Sequence, residues 1–232
     1  MAISAPIQSI IGNSGGYNNT IAKTLTGVVA GNFISIGIVA GEGRTVASIV
    51  SNNSDTIVSS GTPIETTGDR KNWQYYIASA VGGSTTITVT FGAGEFEDAI
   101  LCLVEFSGLE NSSTLDQYAS NSDGVGSFVQ NHPTGTTGAT TQANELVIAW
   151  SGSSGSSDPT FAVPSGYSGF LAGYGFDIFT YGAWAYKIVS VTGTQTATFT
   201  TTGYVTGQGN IATYKASTSS PILVNALLVI GN

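Results

Sequence analysis

Apolar and polar residues alternate along this chain in short runs. Clusters of Gly, Ser, Asn and Pro interrupt them every 8 to 15 residues. Alternation with a period of two places successive side chains on opposite faces of a strand. The run Thr86-Ile87-Thr88-Val89-Thr90-Phe91 is the clearest case: Ile87, Val89 and Phe91 point to a core and the threonines to water. The pattern predicts strands near 22–29, 32–40, 45–51, 73–81, 85–91 and 98–106 in the first half. It predicts others near 114–119, 125–130, 145–150, 167–173, 176–190, 196–201 and 209–215 in the second. No window sustains a 3.6-residue period. The expected fold is all-β, a jelly-roll-like antiparallel β-sandwich.

The pattern also repeats. Residues 73–82, beginning Trp73-Gln74-Tyr75, align without a gap on residues 184–193, beginning Trp184-Ala185-Tyr186. Ser84 to Thr90 then matches Thr194 to Thr200, and Gly31-Asn32-Phe33 resembles Ala143-Asn144-Glu145. All three blocks share an offset of about 110 residues. The repeat fits one jelly roll whose two halves echo each other, or two sandwiches of about 100 residues each. No Pro-rich or charged linker occupies 107–125, which favours the single unit. Trp73 and Trp184 are expected at equivalent core positions. The organisation expected is an N-terminal arm at 1–20, a β-sandwich at 21–216, and a C-terminal apolar strand or arm at 217–232.

Composition narrows the class. Gly, Ser and Thr make up more than a third of the 232 residues, and only 9% are charged. Helical surfaces need more Lys, Glu and Arg than this, whereas sheets can cover their outer faces with Thr and Ser. The net charge is −8, with six scattered basic residues. Without a positive footprint neither nucleic acid nor an anionic membrane surface is an expected partner. The N-terminus has no basic region followed by an apolar run, so no signal peptide is expected.

The residues that could carry chemistry are few. Cys102 lies in the apolar run Ile100 to Val104 and reads as a small core residue. His132, the only histidine, sits in a turn-like Asn131-His132-Pro133. One Cys and one His do not make a zinc site, and no Gly-Lys-Ser/Thr follows the glycine turns, so no cofactor is expected. Glu105 and Glu145, at the ends of apolar strands, are the acids a glycosidase pair would draw on, though a structural role is the simpler reading. The Glu95-Phe96-Glu97-Asp98 segment could offer oxygens to calcium, but lacks the usual loop pattern. The ring-dense run from Tyr167 to Tyr181 reads as core and interface ahead of a sugar platform. No catalytic residue is assigned. The apolar run after Pro221 supplies the candidate interface: Ile222, Leu223, Val224, Leu227, Leu228, Val229 and Ile230. It is either a last strand of its own sheet or an arm on a neighbouring subunit.

Taken in order, the Gly31-Asn32 strand, Trp73-Gln74-Tyr75, the Thr85 to Phe91 alternation and Val104-Glu105-Phe106-Ser107-Gly108 resemble jelly-roll virion accessory and decoration proteins of tailed bacteriophages. Ala143 to Ile148 is similar to the second-half strand of that group. The resemblance spans about residues 25–215 and implies a non-enzymatic capsid decoration (cement) or head or tail accessory subunit. It implies a homo-oligomer, a trimer first, that packs on other virion proteins such as the major capsid protein and is assembled in the host cytoplasm. The alternative is a carbohydrate- or receptor-binding β-sandwich with glycans as partners.

Overall fold

A computed structural model describes residues 2–16, 18–41, 43–65, 70–92, 98–124, 128–155, 159–175 and 180–218. Among them there is no helix, and every strand pairing is antiparallel. The first half runs Gln8–Asn13 (β1), Thr20–Val28 (β2), Phe33–Gly41 (β3), Val46–Ser51 (β4), Val58–Ser59 (β5), Ile64–Glu65 (β6), Arg70–Ile77 (β7), Gly83–Phe91 (β8) and Ile100–Phe106 (β9). The second runs Leu115–Ser122 (β10), Val129–Thr136 (β11), Glu145–Ser154 (β12), Phe161–Ala162 (β13), Ser168–Tyr174 (β14), Thr180–Val189 (β15) and Thr196–Lys215 (β16).

Each half has an inner and an outer sheet. The first inner sheet has the order β1-β9-β3-β7-β5, with β6 also on β7, and its outer sheet is β2-β8-β4. The second inner sheet is β10-β16-β12-β15-β14. Its outer layer forms where β11 and β13 flank the first part of β16. The strand orders of the two halves therefore correspond, with β16 standing for both β8 and β9. The inner sheets face one another, so the described residues form four layers and three cores. This is more than the one pair of sheets of a single jelly roll.

Burial follows from the layering. β8 alternates buried and partly exposed positions, as expected of a sheet with one wet face. β3 and β9 are buried at every position because both of their faces are covered. β16 shows both regimes: residues 196–201 alternate, and 205–214 are buried throughout. The first outer core joins Leu25, Ile36, Trp73, Ile87, Val89 and Leu103. The central core joins Phe33, Tyr76, Phe106, Trp150, Trp184 and Tyr214. The second outer core joins Val147, Tyr181, Phe199 and Ile211.

Two expectations change. Residues 8–13, expected within an N-terminal arm, form edge strand β1 on β9. Ile10 packs on the first outer core and Ile11 on the central one, so this short run is anchored on both faces. Trp73 and Trp184 are buried, at 3% and 1% exposure, on corresponding strands. They are not at equivalent positions. Trp73 faces outward to Phe91 at 6.4 Å, and Trp184 faces the central core at 6.0 Å from Phe106. An inner strand buries both faces, so either parity can hold an indole.

Candidate functional site

The residues singled out in the sequence do not converge. Glu105, on β9, is fully buried and faces the first outer core. Its carboxylate accepts from the Gln8 amide (2.6 Å), the Asn32 amide (2.6 Å) and the Val29 N–H (2.9 Å). It ties β1 and the 29–32 turn to the inner sheet. Glu145 opens β12 and faces the other way, toward the second outer core, beside Asp116 and Thr213. The two glutamates share no neighbour, and the two inner sheets lie between the cores they face. They do not flank a common space as a glycosidase pair must.

Cys102 is buried in the central core, and burial pushes its thiol far above the ordinary range. Of the 95–98 segment, residues 95–97 lie outside the described residues, and Asp98 is buried against Gly175. No group of three or more His, Cys, Asp or Glu able to hold a metal occurs among the described residues. In the aromatic run, Tyr167 and Tyr181 are core residues: the Tyr167 hydroxyl donates to Thr196 O at 2.9 Å, and the Lys187 ammonium lies 4.6 Å over its ring. Tyr174 is 41% exposed and packs edge-on to Tyr181. Residues 176–179 and the candidate interface residues 222–230 lie outside the described residues.

His132 is placed differently from its sequence reading. It lies on β11, fully buried, with Pro133 beside it on the edge of the outer layer, where a missing N–H is tolerated. Its Nδ1 is 2.6 Å from Asp123 Oδ2 and its Nε2 is 3.2 Å from Thr201 Oγ1. The order Asp, His, hydroxyl is that of a nucleophile triad. However, Thr201 donates its own proton to Gly203 O at 2.7 Å, so the hydroxyl proton is already committed to a backbone carbonyl and is not presented to the ring. The set is a buried brace joining the end of β10, β11 and the bend of β16. Gly207 makes room for it: a Cβ there would lie 2.6 Å from His132 Nδ1. Asp123 and Thr201 carry no local signal in the sequence; only the pairing of β10 and β11 with β16 unites them with His132.

Two surface features remain. One end of the molecule carries exposed Val29, Val81, Ile188 and Val191, all at the ends of strands or in the turns beyond them. The chain leaves the described fold at this end: Ala216 bridges Leu109, and the Ser217 N–H donates to Gly108 O at 2.9 Å. Grooves on either side of Ser217 and Thr218 are lined by Ala2, Ile3 and Ile188 on one side, and by Ala30, Asn32 and Leu109 on the other. The second feature is a pair of exposed rings, Phe128 at 61% and Tyr204 at 66%, flanking the Val129–Val205 pair. The chain matches no family model, no curated protein and no solved structure.

Proposed function

We propose that this protein is a non-enzymatic structural subunit of a virion, a capsid decoration or head or tail accessory protein that works by packing against copies of itself and its shell. One observation carries this reading. The apolar run Ile222 to Ile230 follows directly on the end of the molecule that carries Val29, Val81, Ile188 and Val191 on its surface. Apolar groups of a chain and of the surface it leaves from gain by covering one another between subunits. A symmetric ring, a trimer first, closes such contacts without leaving an unpaired surface. In each half the first strand lies beside the last, and the second pairs with β8 in the first half and with the first part of β16 in the second, which supports the likeness to jelly-roll virion modules.

Removal of residues 219–232 tests the proposal. Light scattering should show the oligomer lost or weakened, with circular dichroism unchanged, and the truncated protein should no longer decorate its particle. An unchanged mass together with unchanged particle binding contradicts it. A second reading, glycan binding, is favoured by the Phe128 and Tyr204 rings, since exposed aromatic faces stack on sugars. Retention on a glycan array that is lost in a Phe128→Ala, Tyr204→Ala double variant would support it.

A further inference from the structure

We propose that Asp116 and Glu145 share a single proton, that this proton locks edge strand β10 to the 140–145 turn and β12, and that its loss loosens this edge. Asp116 sits at the irregularity between Leu115 and Gln117 where β10 pairs with β16. Its two oxygens accept from the Thr141 N–H (2.7 Å) and the Thr141 hydroxyl (2.5 Å). Glu145 is fully buried, and neither of its oxygens receives a well-formed hydrogen bond. Its polar neighbours are the Asp116 carboxyl, the Gln142 backbone N–H and the Thr213 hydroxyl, which itself accepts the Gln117 N–H at 3.2 Å.

Two neighbouring carboxylates repel, and a buried carboxylate whose donors are poorly placed is costly. A proton on Glu145 removes both penalties, because the carboxyl then donates to Asp116. The other charges near the pair do not replace it. Lys215, the cross-strand neighbour of Glu145 on β16, acts on Asp116 from a partly exposed position. Lys187 on β15 holds its ammonium over the Tyr167 ring. The turn contributes Thr141 and Gln142, neither of which titrates.

Burial, with Asp116 adding to it, pushes Glu145 from 4.5 to about 7, the Thr213 hydroxyl and the Gln142 N–H only partly opposing this. Asp116 is held below its ordinary value: burial pushes it up, but the Thr141 hydroxyl and N–H, Glu145 and Lys215 together outweigh that. A group whose folded value is raised contributes fully below its unfolded value, and its contribution is lost as pH rises through the folded value. The edge is therefore tight in mild acid and loosens through neutrality. Because the Thr141 turn leads to Gln142, whose amide donates to Asn144 O (2.9 Å) and Ala216 O (3.2 Å), the loosened edge includes the point where the chain leaves the fold.

The test is thermal unfolding of the full chain between about pH 5 and about pH 8, for the native protein, Glu145→Gln and Asp116→Asn. Hydrogen exchange at Thr141 and Gln117 is followed in parallel. The native midpoint should fall over this range by more than that of Glu145→Gln, whose amide keeps a donor toward Asp116 at every pH. Exchange at Thr141, corrected for intrinsic rate, should quicken with pH in the native protein only. If Glu145→Gln does not fold, Asp116→Asn serves, since its amide can donate to an ionised Glu145 and should also flatten the profile. Equal pH slopes in native and variant overturn the proposal. A calcium-dependent rise of the native midpoint at about pH 8, absent in Glu145→Gln, overturns it in favour of a cation held between the two acids.

Discussion

Glu105 and Glu145 look alike in the sequence, each an acid at the end of an apolar strand, yet their surroundings are opposite. Glu105 accepts from three donors, whereas Glu145 lies against another acid. Replacing Glu105 by Ala strands three donors, and an unsatisfied buried donor costs about 1–3 kcal/mol each. Urea unfolding of Glu105→Ala should show a loss of about 3 kcal/mol or more, and a loss under about 1 kcal/mol would mean that water replaces the carboxylate. His132→Ala leaves the Asp123 carboxylate buried without its partner and should cost about 3–5 kcal/mol in the same experiment. A neutral result there would remove the brace from the account of the β16 bend.

At the scale of elements, β16 carries the architecture of the second half. Its first part belongs to a layer with a wet face and its last part to the buried inner sheet. The inner sheets approach closely where glycines replace side chains. At Gly37 on β3 a Cβ would lie 2.9 Å from the Trp150 ring, and at Gly182 on β15 2.9 Å from the far edge of the same ring. The Trp150 indole N–H donates to Ile38 O at 3.2 Å across this gap. Gly37→Val should therefore overpack the central core, at about 1–3 kcal/mol or more. The same change at Gly43, where a Cβ meets nothing within 4 Å, strains only the backbone at φ +68° and does not touch this core. Calorimetry comparing Gly37→Val with Gly37→Ala should show the larger side chain costing more; equal midpoints would mean that the sheets can separate freely.

For the whole molecule, the central core makes the two halves one cooperative body. Its aromatics come from both: Phe33 lies 4.7 Å from Tyr214, and Phe106 lies 5.4 Å from Tyr186. Ser60 and Tyr214 add a buried hydroxyl pair at 2.7 Å across the halves. A chain of residues 1–112 alone would expose Phe33, Val39, Tyr76, Val104 and Phe106 together on one face. Apolar patches of that extent drive association. The fragment should self-associate or aggregate by light scattering, while the full chain unfolds in one transition. A monomeric, cooperatively folding fragment would show that each half is an independent domain.

Much of this was legible in the chain. The alternation at 85–91, the repeat at an offset of about 110 residues and the scarcity of charge determine an all-β protein of two related halves, because period and composition act locally along a strand. They do not determine which face a side chain takes when both faces are buried, which is why Trp73 and Trp184 align in sequence and lie in different cores. Nor do they reveal that 196–201 and 209–215 are one strand. Gly203 and Gly207 lie between the two expected strands, but Gly207 and Gly209 are there so that His132 and Thr134 can come close. The Asp123–His132–Thr201 brace and the Asp116–Glu145 pair belong to the tertiary structure alone: each joins residues from different strands, and only strand pairing brings them together.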